Sequence, residues 1–326
     1  MSTLRLGLLS TATINQQILR GAEGSELVNA VAVASRDAAK ARAYAAEHGI
    51  ERAHGSYEAL LADEGVDAVY ISLPNGMHHE WTVRALEAGK HVLCEKPYSR
   101  HPEEVVEAFD LADARGLVLM EAFMYRHHPQ TARVRELVEQ GAIGRLCAVK
   151  ATFSFQLDDL SNVRAIAELD GGALMDVGCY CVSGIRLLAG EPERARGEQV
   201  VGPTGVDMAF HGILRCADDV VGQFEASFLA PKRQRLEAIG MDGVLTIEAP
   251  WRVDWGGLVT IAREDQRPET IEIGIVDSYR LQLDNLAQAV AGRAPQLLAR
   301  DDALGQARAI EALYRSAAEG RAMELG

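Results

Sequence analysis

Leu4-Arg5-Leu6-Gly7-Leu8-Leu9-Ser10-Thr11-Ala12-Thr13-Ile14 opens the chain with an apolar run, a turn of small residues and a helical repeat continuing at Ile18 and Leu19. Strand, tight turn and helix in that order begin a βαβ unit, the building block of a parallel sheet. The glycine-rich dinucleotide fingerprint would span this turn, and its three small positions here are Ser10, Ala12 and Asn15. Ser10 still makes a turn. Ala12 adds one methyl where backbone must approach pyrophosphate, and the helix N-terminus still offers N–H groups to an anion. Asn15 falls where a small residue normally lets helix pack on strand, so a looser contact is expected there. An ordinary strand–helix junction reads the same residues equally well, and the turn alone does not decide.

Reading outward, the unit recurs. Residues 27–34 are an apolar strand, Ser35-Arg36-Asp37 turns, and residues 38–47 follow as a helix. The end of this strand is where a dinucleotide site meets the ribose. A carboxylate there accepts from a 2′-hydroxyl, whereas a hydroxyl with a guanidinium suits a 2′-phosphate, so Ser35 and Arg36 favour NADP. Two other outcomes stay open: Arg36 pairs with Asp37 or solvent, or Asp37 reaches a ribose hydroxyl and NAD is used as well. Residues 67–73 form another strand, ending at Leu73-Pro74-Asn75 and followed by a helix from about 78 to 88. Its loop faces the same ligand, with His78 in a lining or capping role. His78 and His79 diverge by about a quarter turn on a helix, and no third ligand completes a metal site.

His91-Val92-Leu93-Cys94-Glu95-Lys96-Pro97 runs from a strand directly into a Glu-Lys-Pro turn. Open α/β sheets place their ligands at such carboxyl ends. Pro97 fixes its own φ and restrains Lys96, so a lysine able to serve as acid or base sits on a stiff backbone. A surface lysine paired with Glu95 is the bland reading. A helix over 102–114 and an apolar run at 117–120 complete a first domain, 1-121. Beyond it His127-His128 enters a helix over 130–140 at Pro129.

From Arg145 the pattern changes. Residues 146–155, 208–216, 220–228, 235–240, 244–248 and 258–262 read as strands with little helix between them, a large and mostly antiparallel sheet. Asp242-Gly243 marks a tight hairpin. Helices follow at 278–290 and 302–318. The expected fold is α/β: a Rossmann dinucleotide-binding domain, then an α+β domain over 122-326 with an open sheet. Such a face is commonly buried against a second subunit, which gives a homodimer or homotetramer. Between the first strand and the others, a helix beginning near Ala173 puts Asp176 and Tyr180, four apart, on one face. An aspartate favouring the helix dipole beside a core tyrosine accounts for the pair without chemistry.

Composition removes several classes. The 326 residues fit two domains, and 33 Lys+Arg against 47 Asp+Glu leave a net charge of −14 with no basic run, which argues against nucleic acid. Cys94, Cys147, Cys179, Cys181 and Cys216 are odd in number and lack C-x-x-C spacing, so neither disulfides nor zinc are indicated. No apolar run approaches the ~20 residues of a membrane helix, and the N-terminal run is too short for a signal peptide. A cytoplasmic protein with no membrane partner is expected.

Taken together, Ser10-Thr11-Ala12, Leu73-Pro74-Asn75, Glu95-Lys96-Pro97, Glu121-Ala122-Phe123-Met124-Tyr125-Arg126 and Asp176-Val177-Gly178-Cys179-Tyr180 resemble the glucose-fructose oxidoreductase / inositol dehydrogenase / MocA family. The likeness is greatest to its branch of dihydrodiol and NADP-dependent D-xylose dehydrogenases, and it covers nearly the whole chain. It implies hydride transfer at a carbinol or carbonyl carbon of a sugar, sugar derivative, cyclic polyol or dihydrodiol. It also implies a Rossmann domain for NADP, a second domain used in oligomerisation, and no metal. The family's lysine falls on Lys96, its helix aspartate on Asp176 and its acid/base on Tyr180. Ser10, Thr11, Ala12, Ile14, Ser35, Arg36, Leu73, Pro74, Asn75, His78, Glu95, Lys96 and Pro97 would meet the cofactor, with Tyr125, Asn162, Arg164 and Tyr279 as candidates for lining the substrate pocket. A sugar-nucleotide ketoreductase and a non-catalytic nicotinamide-sensing regulator are the alternatives. The substrate and the direction of the reaction are left open.

Overall fold

The computed structural model describes residues 3–251 and 257–325. They form two compact units, Met1–Met124 with Asp277–Leu304 and Tyr125–Val276 with Gly305–Gly326. The division 1-121 and 122-326 follows chain order, whereas packing returns residues 277–304 to the N-terminal unit.

That unit holds β1 (Leu4–Leu8), α1 (Asn15–Glu23), β2 (Val28–Ala34), α2 (Ala38–His48), β3 (Arg52–His54), α3 (Tyr57–Leu61), β4 (Ala68–Ile71), α4 (His78–Glu87), β5 (His91–Cys94), α5 (Pro102–Arg115) and β6 (Leu119–Glu121). Its six strands are parallel in the order β3-β2-β1-β4-β5-β6. This is the doubly wound arrangement, with the switch point between β1 and β4. Strands covered on both faces read as unbroken apolar runs, and Val69, Tyr70, Ile71, Val92, Leu93 and Cys94 are all 0% exposed. β3 and α3 escaped the sequence reading because an Arg-Ala-His edge strand carries no apolar period.

The C-terminal unit contains α6 (Pro129–Glu139), β7 (Leu146–Ser154), α7 (Cys179–Ala189), β8 (Pro192–Val201), β9 (Asp207–Cys216), β10 (Val221–Ser227), β11 (Arg233–Gly240), β12 (Val244–Ile247), β13 (Gly257–Ala262) and β14 (Glu269–Ile273). Three elements follow: α8 (Ser278–Val290), α9 (Arg300–Glu319) and β15 (Met323–Glu324). The sheet runs β14-β13-β12-β11-β7-β10-β9-β8-β15, antiparallel at every pair except β7 with β10. The Asp242-Gly243 hairpin joins β11 to β12, closed by Gly240 N–H donating to Gly243 O at 2.9 Å. β8 was not legible because its inward positions are small: Gly197 sits where a Cβ would come 2.5 Å from Leu313 O.

α7 lies on one face of this sheet, so close that a Cβ on Gly222 would meet Ile185 at 2.3 Å. On the opposite face Arg196, Ile213, Gln223, Lys150 and Glu237 stand in one cross-strand row, with Ile213 46% exposed. The segment Ala167–Ala189 is long and apolar enough to cross a membrane by composition, yet 78% of that window is buried, as befits a core helix. α8 belongs to the N-terminal unit. Its first turn rests on α1 at Gly21, where a Cβ would lie 2.9 Å from Arg280 N. Arg20 pairs with Asp277 at 3.2 Å across the same contact.

Candidate active site

In the N-terminal unit the β1–α1 turn is built by hydrogen bonds in place of glycines. Ser10 Oγ accepts from Ala12 N–H at 3.1 Å and lies 2.7 Å from Ser72 Oγ. Asn15 is wholly buried, donates Nδ2–H to Ser10 O at 2.8 Å and accepts from Ser72 Oγ at 2.7 Å. The looser contact expected at Asn15 is therefore corrected. The larger side chain fills the space and ties the turn to the end of β4 through Ser72, a residue that no local pattern singles out. Ile14 at the helix N-cap makes no side-chain cap, which leaves the positive end of α1 to an anionic group. Thr11 and Ala12 are half-buried beside it.

Beyond β2, Ser35 Oγ accepts from Asp37 N–H at 3.2 Å. Asp37 spends its carboxylate capping α2, accepting from Ala39 N–H at 2.8 Å and Lys40 N–H at 3.2 Å. Both bonds fall on Oδ1, so the cap engages one of the two carboxylate oxygens of Asp37. Arg36 is exposed, and its guanidinium reaches the buried Tyr57, opposing the rise that burial imposes on that phenol. A hydroxyl and a guanidinium at the end of β2 fit a 2′-phosphate.

The Glu-Lys-Pro turn is fixed from several sides. Lys96-Pro97 is a cis peptide bond. Glu95 accepts from Tyr70 Oη and from Lys96 N–H, and Glu121 accepts from Tyr98 N–H at 2.8 Å. His78 is 0% exposed, with Nδ1 2.9 Å from Pro97 O and Nε2 2.9 Å from Leu73 O. Its ring thus joins the Leu73-Pro74-Asn75 turn to the Lys96-Pro97 turn. Burial holds the His78 pKa below the usual histidine value, with the Lys96 charge acting in the same sense. The expected lining role becomes an indirect one: an enclosed ring fixes backbone that lines the site and does not itself face a ligand. Pro74 and Asn75 are half-buried, and Leu73 is buried. His79 turns elsewhere, to Tyr98 Oη at 3.1 Å and Glu107 at 3.3 Å.

In the C-terminal unit the stretch around Asp176 begins with one π-helical segment, Leu174–Gly178, before α7 continues as α-helix. Single π turns recur at functional sites, and no sequence signal announced this one. Asp176 Oδ2 accepts from Arg164 Nε at 2.7 Å, and Asn162 Oδ1 caps Arg164 N–H at 3.1 Å. The structure therefore brings Asn162, Arg164 and Asp176 together. Tyr180 is 9% exposed, its ring among Phe153 at 5.6 Å, Trp251 at 5.8 Å and Tyr125 at 6.0 Å between centroids. Tyr125 is a support and not a lining residue: it is 2% exposed, stands edge-on to Trp251 and has its hydroxyl 2.7 Å from Ser183 Oγ. Tyr279 lies in the first turn of α8, in the N-terminal unit. His128 is the helix entry foreseen for it, its Nδ1 accepting from Gln130 N–H at 3.0 Å.

Residues 9–123 match the oxidoreductase family with an NAD-binding Rossmann fold, and residues 131–246 match the GFO/IDH/MocA C-terminal domain. The chain is 40% identical to D-xylose 1-dehydrogenase (NADP(+)) 2 of Haloferax volcanii, over 99% of this chain and all of that protein. It is 36% identical to a dTDP-3,4-didehydro-2,6-dideoxy-alpha-D-glucose 3-reductase of Streptomyces violaceoruber, over 93% of this chain and 88% of that one. Its fold superposes with a TM-score of 0.91 on a 3-ketoreductase from Actinomadura kijaniata in complex with NADP and TDP-benzene, at 30% identity and 97% and 98% coverage. With a doubly wound N-terminal sheet, a nine-stranded second sheet and these likenesses along nearly its whole length, the chain belongs to the GFO/IDH/MocA family of oxidoreductases.

Proposed function

We propose that this oxidoreductase is NADP-dependent and oxidises the C1 hemiacetal hydroxyl of a free aldose, giving the lactone. NADP supplies nicotinamide C4 as the hydride acceptor. Tyr180 takes the hydroxyl proton, Lys96 supplies the ammonium that favours the phenolate, and Asp176 orients the acid/base group. Ser35 and Arg36 hold the 2′-phosphate, and the end of α1 with Ser10, Thr11 and Ala12 receives the pyrophosphate.

The observation that carries the reading is the setting of Tyr180: one phenol, nearly enclosed by three aromatic rings, one helical turn from a carboxylate already held by Arg164. A free sugar is favoured over a sugar nucleotide by the 40% identity to the Haloferax D-xylose dehydrogenase over 99% of this chain, against 36% over 93% for the Streptomyces reductase. The second reading, a ketoreductase of a nucleotide-linked sugar, rests on the structural likeness to the Actinomadura enzyme. A screen of NADP reduction across aldoses, inositols and dihydrodiols, beside NADPH oxidation with nucleotide-linked keto sugars, separates them. Turnover confined to the last group would overturn the free-aldose assignment. The same proposal includes assembly as a homodimer or homotetramer through the open sheet face, where Ile213, Val200 and Leu258 are exposed. A monomer by light scattering at micromolar concentration would remove that part.

A further inference from the structure

Asp207 begins β9 and is 3% exposed, a carboxylate buried at the head of the helix that carries Asp176 and Tyr180. Its Oδ2 accepts from Leu174 N–H at 2.7 Å and its Oδ1 accepts from Tyr314 Oη of α9 at 2.9 Å, with the Ala173 backbone also favouring the charged form. The approach is tight enough to dictate a residue: a Cβ on Gly172, at φ +125°, would lie 2.1 Å from Asp207 Oδ1. The neighbouring Gly171 has its own constraint, since a Cβ there would meet Arg164 O at 2.5 Å. Gly172 N–H donates to Arg164 O at 2.8 Å, and Gly172 O accepts from Asp176 N–H at 3.0 Å. The glycine pair therefore links the Asn162–Arg164 loop, the Asp207 carboxylate and the first turn of the helix.

We infer that Asp207 is the positioning residue of this helix: by capping the Leu174 N–H of its first turn from a sheet strand, it fixes the register and tilt with which Asp176 and Tyr180 are presented. A helix N-terminus without its four intrahelical partners needs acceptors, and a side chain from the helix's own sequence normally supplies them. Here Ala173 precedes the segment and offers no side-chain cap. The acceptor comes from 33 residues away in sequence, so the cap also locks helix to sheet. Burial of a carboxylate is costly, and Asp207 is pushed up to about 6 by desolvation despite the hydrogen bonds it accepts. An unpaired π-type first turn would otherwise be free to rewind by one residue, which rotates every side chain that follows by about 100°.

The inference rests on the roles proposed for Tyr180 and Asp176, and the test keeps the two apart. Asp207→Ala, Asp207→Asn and Tyr180→Phe are compared by NADP reduction with the best sugar from the screen above, by NADP titration and by amide hydrogen exchange. Asn keeps one acceptor for the Leu174 N–H and turns a donor to Tyr314 Oη. Asp207→Ala is expected to lose about 10- to 100-fold in kcat, with NADP affinity and far-UV circular dichroism unchanged and faster exchange at Ala173, Leu174 and Asp176. Asp207→Asn is expected to restore exchange protection and to return kcat to within about threefold. A folded Asp207→Ala with unchanged kcat while Tyr180→Phe is inactive would overturn the positioning role alone. Full turnover by Tyr180→Phe, or no substrate in the screen, would overturn the functional reading and leave the cap to be judged by exchange, where unaltered protection in Asp207→Ala defeats it.

Discussion

His78 in the N-terminal unit and Asp207 in the C-terminal unit are both buried side chains that hold backbone at the places where chemistry is proposed, and they hold opposite groups. His78 faces two carbonyl oxygens, Leu73 O and Pro97 O. Asp207 faces an N–H donor and a hydroxyl. The β4 and β5 turns end strands and present acceptors, so a ring N–H serves one of them in the neutral imidazole, and only the imidazolium serves both. A helix beginning presents donors, so a carboxylate does. Burial disfavours the charged form of each, which lowers the pKa of His78 and raises that of Asp207 to about 6. The two anchors therefore respond to acid with opposite signs. Unfolded chain takes up protons on His78 below about pH 6.5, so its contribution is full above that pH and is lost as pH falls. Asp207 is the reverse. Its folded carboxyl binds a proton more readily than the unfolded one, so its cost is greatest above pH 6 and is relieved as pH falls from 6 towards about 4.

The largest effect lies in the chemistry that both anchors serve. Tyr180→Phe and Lys96→Met should each lower kcat by roughly 10²–10⁴ with NADP affinity nearly unchanged. The double variant should lose far less than the product of the two if they act as a unit. Loss of cofactor affinity in Tyr180→Phe would erase the division of labour between the units.

Stability against pH sharpens the anchor comparison directly. In urea titrations Asp207→Asn should be more stable than the parent by about 2–3 kcal/mol at pH 8, from a shift of about two units at ~1.4 kcal/mol each. The gain should vanish by about pH 4. His78→Asn should behave oppositely. It loses about 1–3 kcal/mol at pH 8, because the shorter amide cannot reach both turns and the carbonyl that held the ring N–H loses its donor, and its deficit narrows below pH 6.5, where the parent loses its own advantage. Parallel curves for the two variants would show that neither side chain titrates as its surroundings imply.

A smaller effect isolates the cofactor end of the N-terminal unit. Arg36→Ala removes charge-assisted hydrogen bonds worth roughly 1.5–3 kcal/mol, so NADP should bind about 10- to 100-fold more weakly with NAD little changed. Equal losses in titrations of both would assign Arg36 to the packing of Tyr57.

How much of this was legible follows the same contrast. The parallel sheet announced itself because strands buried on both faces are continuous apolar runs, and the turns after β1, β2, β4 and β5 sit next to those runs in sequence. Lys96 and the cofactor residues could be named from that adjacency. The supports could not, because they act across long sequence separations. Ser72 reaches Asn15 from another strand, His78 spans two turns, and Asp207 caps a helix from a strand beyond it. Local pattern also hid β8, whose inward Ala195 and Gly197 carry no apolar signal. It likewise hid the π turn, since Leu174–Gly178 has the composition of any buried helix. Asn15 taught the converse lesson. Judged by size it was a misfit, and judged by its hydrogen bonds it is the part that holds the turn.

The smallest expected effect comes from the second hold on the helix that carries Asp176 and Tyr180, the Arg164–Asp176 pair. Its side chains are 43% and 16% exposed, so screening by solvent limits the pair to about 1 kcal/mol or less. Arg164→Gln keeps a donor for Asp176 Oδ2 and removes only the charge, so urea titration should register a change under about 0.5 kcal/mol. Turnover should respond more than stability, because Asp176 stands one turn before Tyr180 and a small swing of its carboxylate alters what it orients. A two- to tenfold fall in kcat is expected, well short of that for Asp207→Ala. If Arg164→Gln instead matches Asp207→Ala while KM for the sugar rises steeply, the guanidinium meets the substrate itself, and Arg164 belongs with the binding residues. If kcat does not move, the cap from Asp207 and the glycine pair are sufficient to set Asp176, and the exposed pair does no more than cover it.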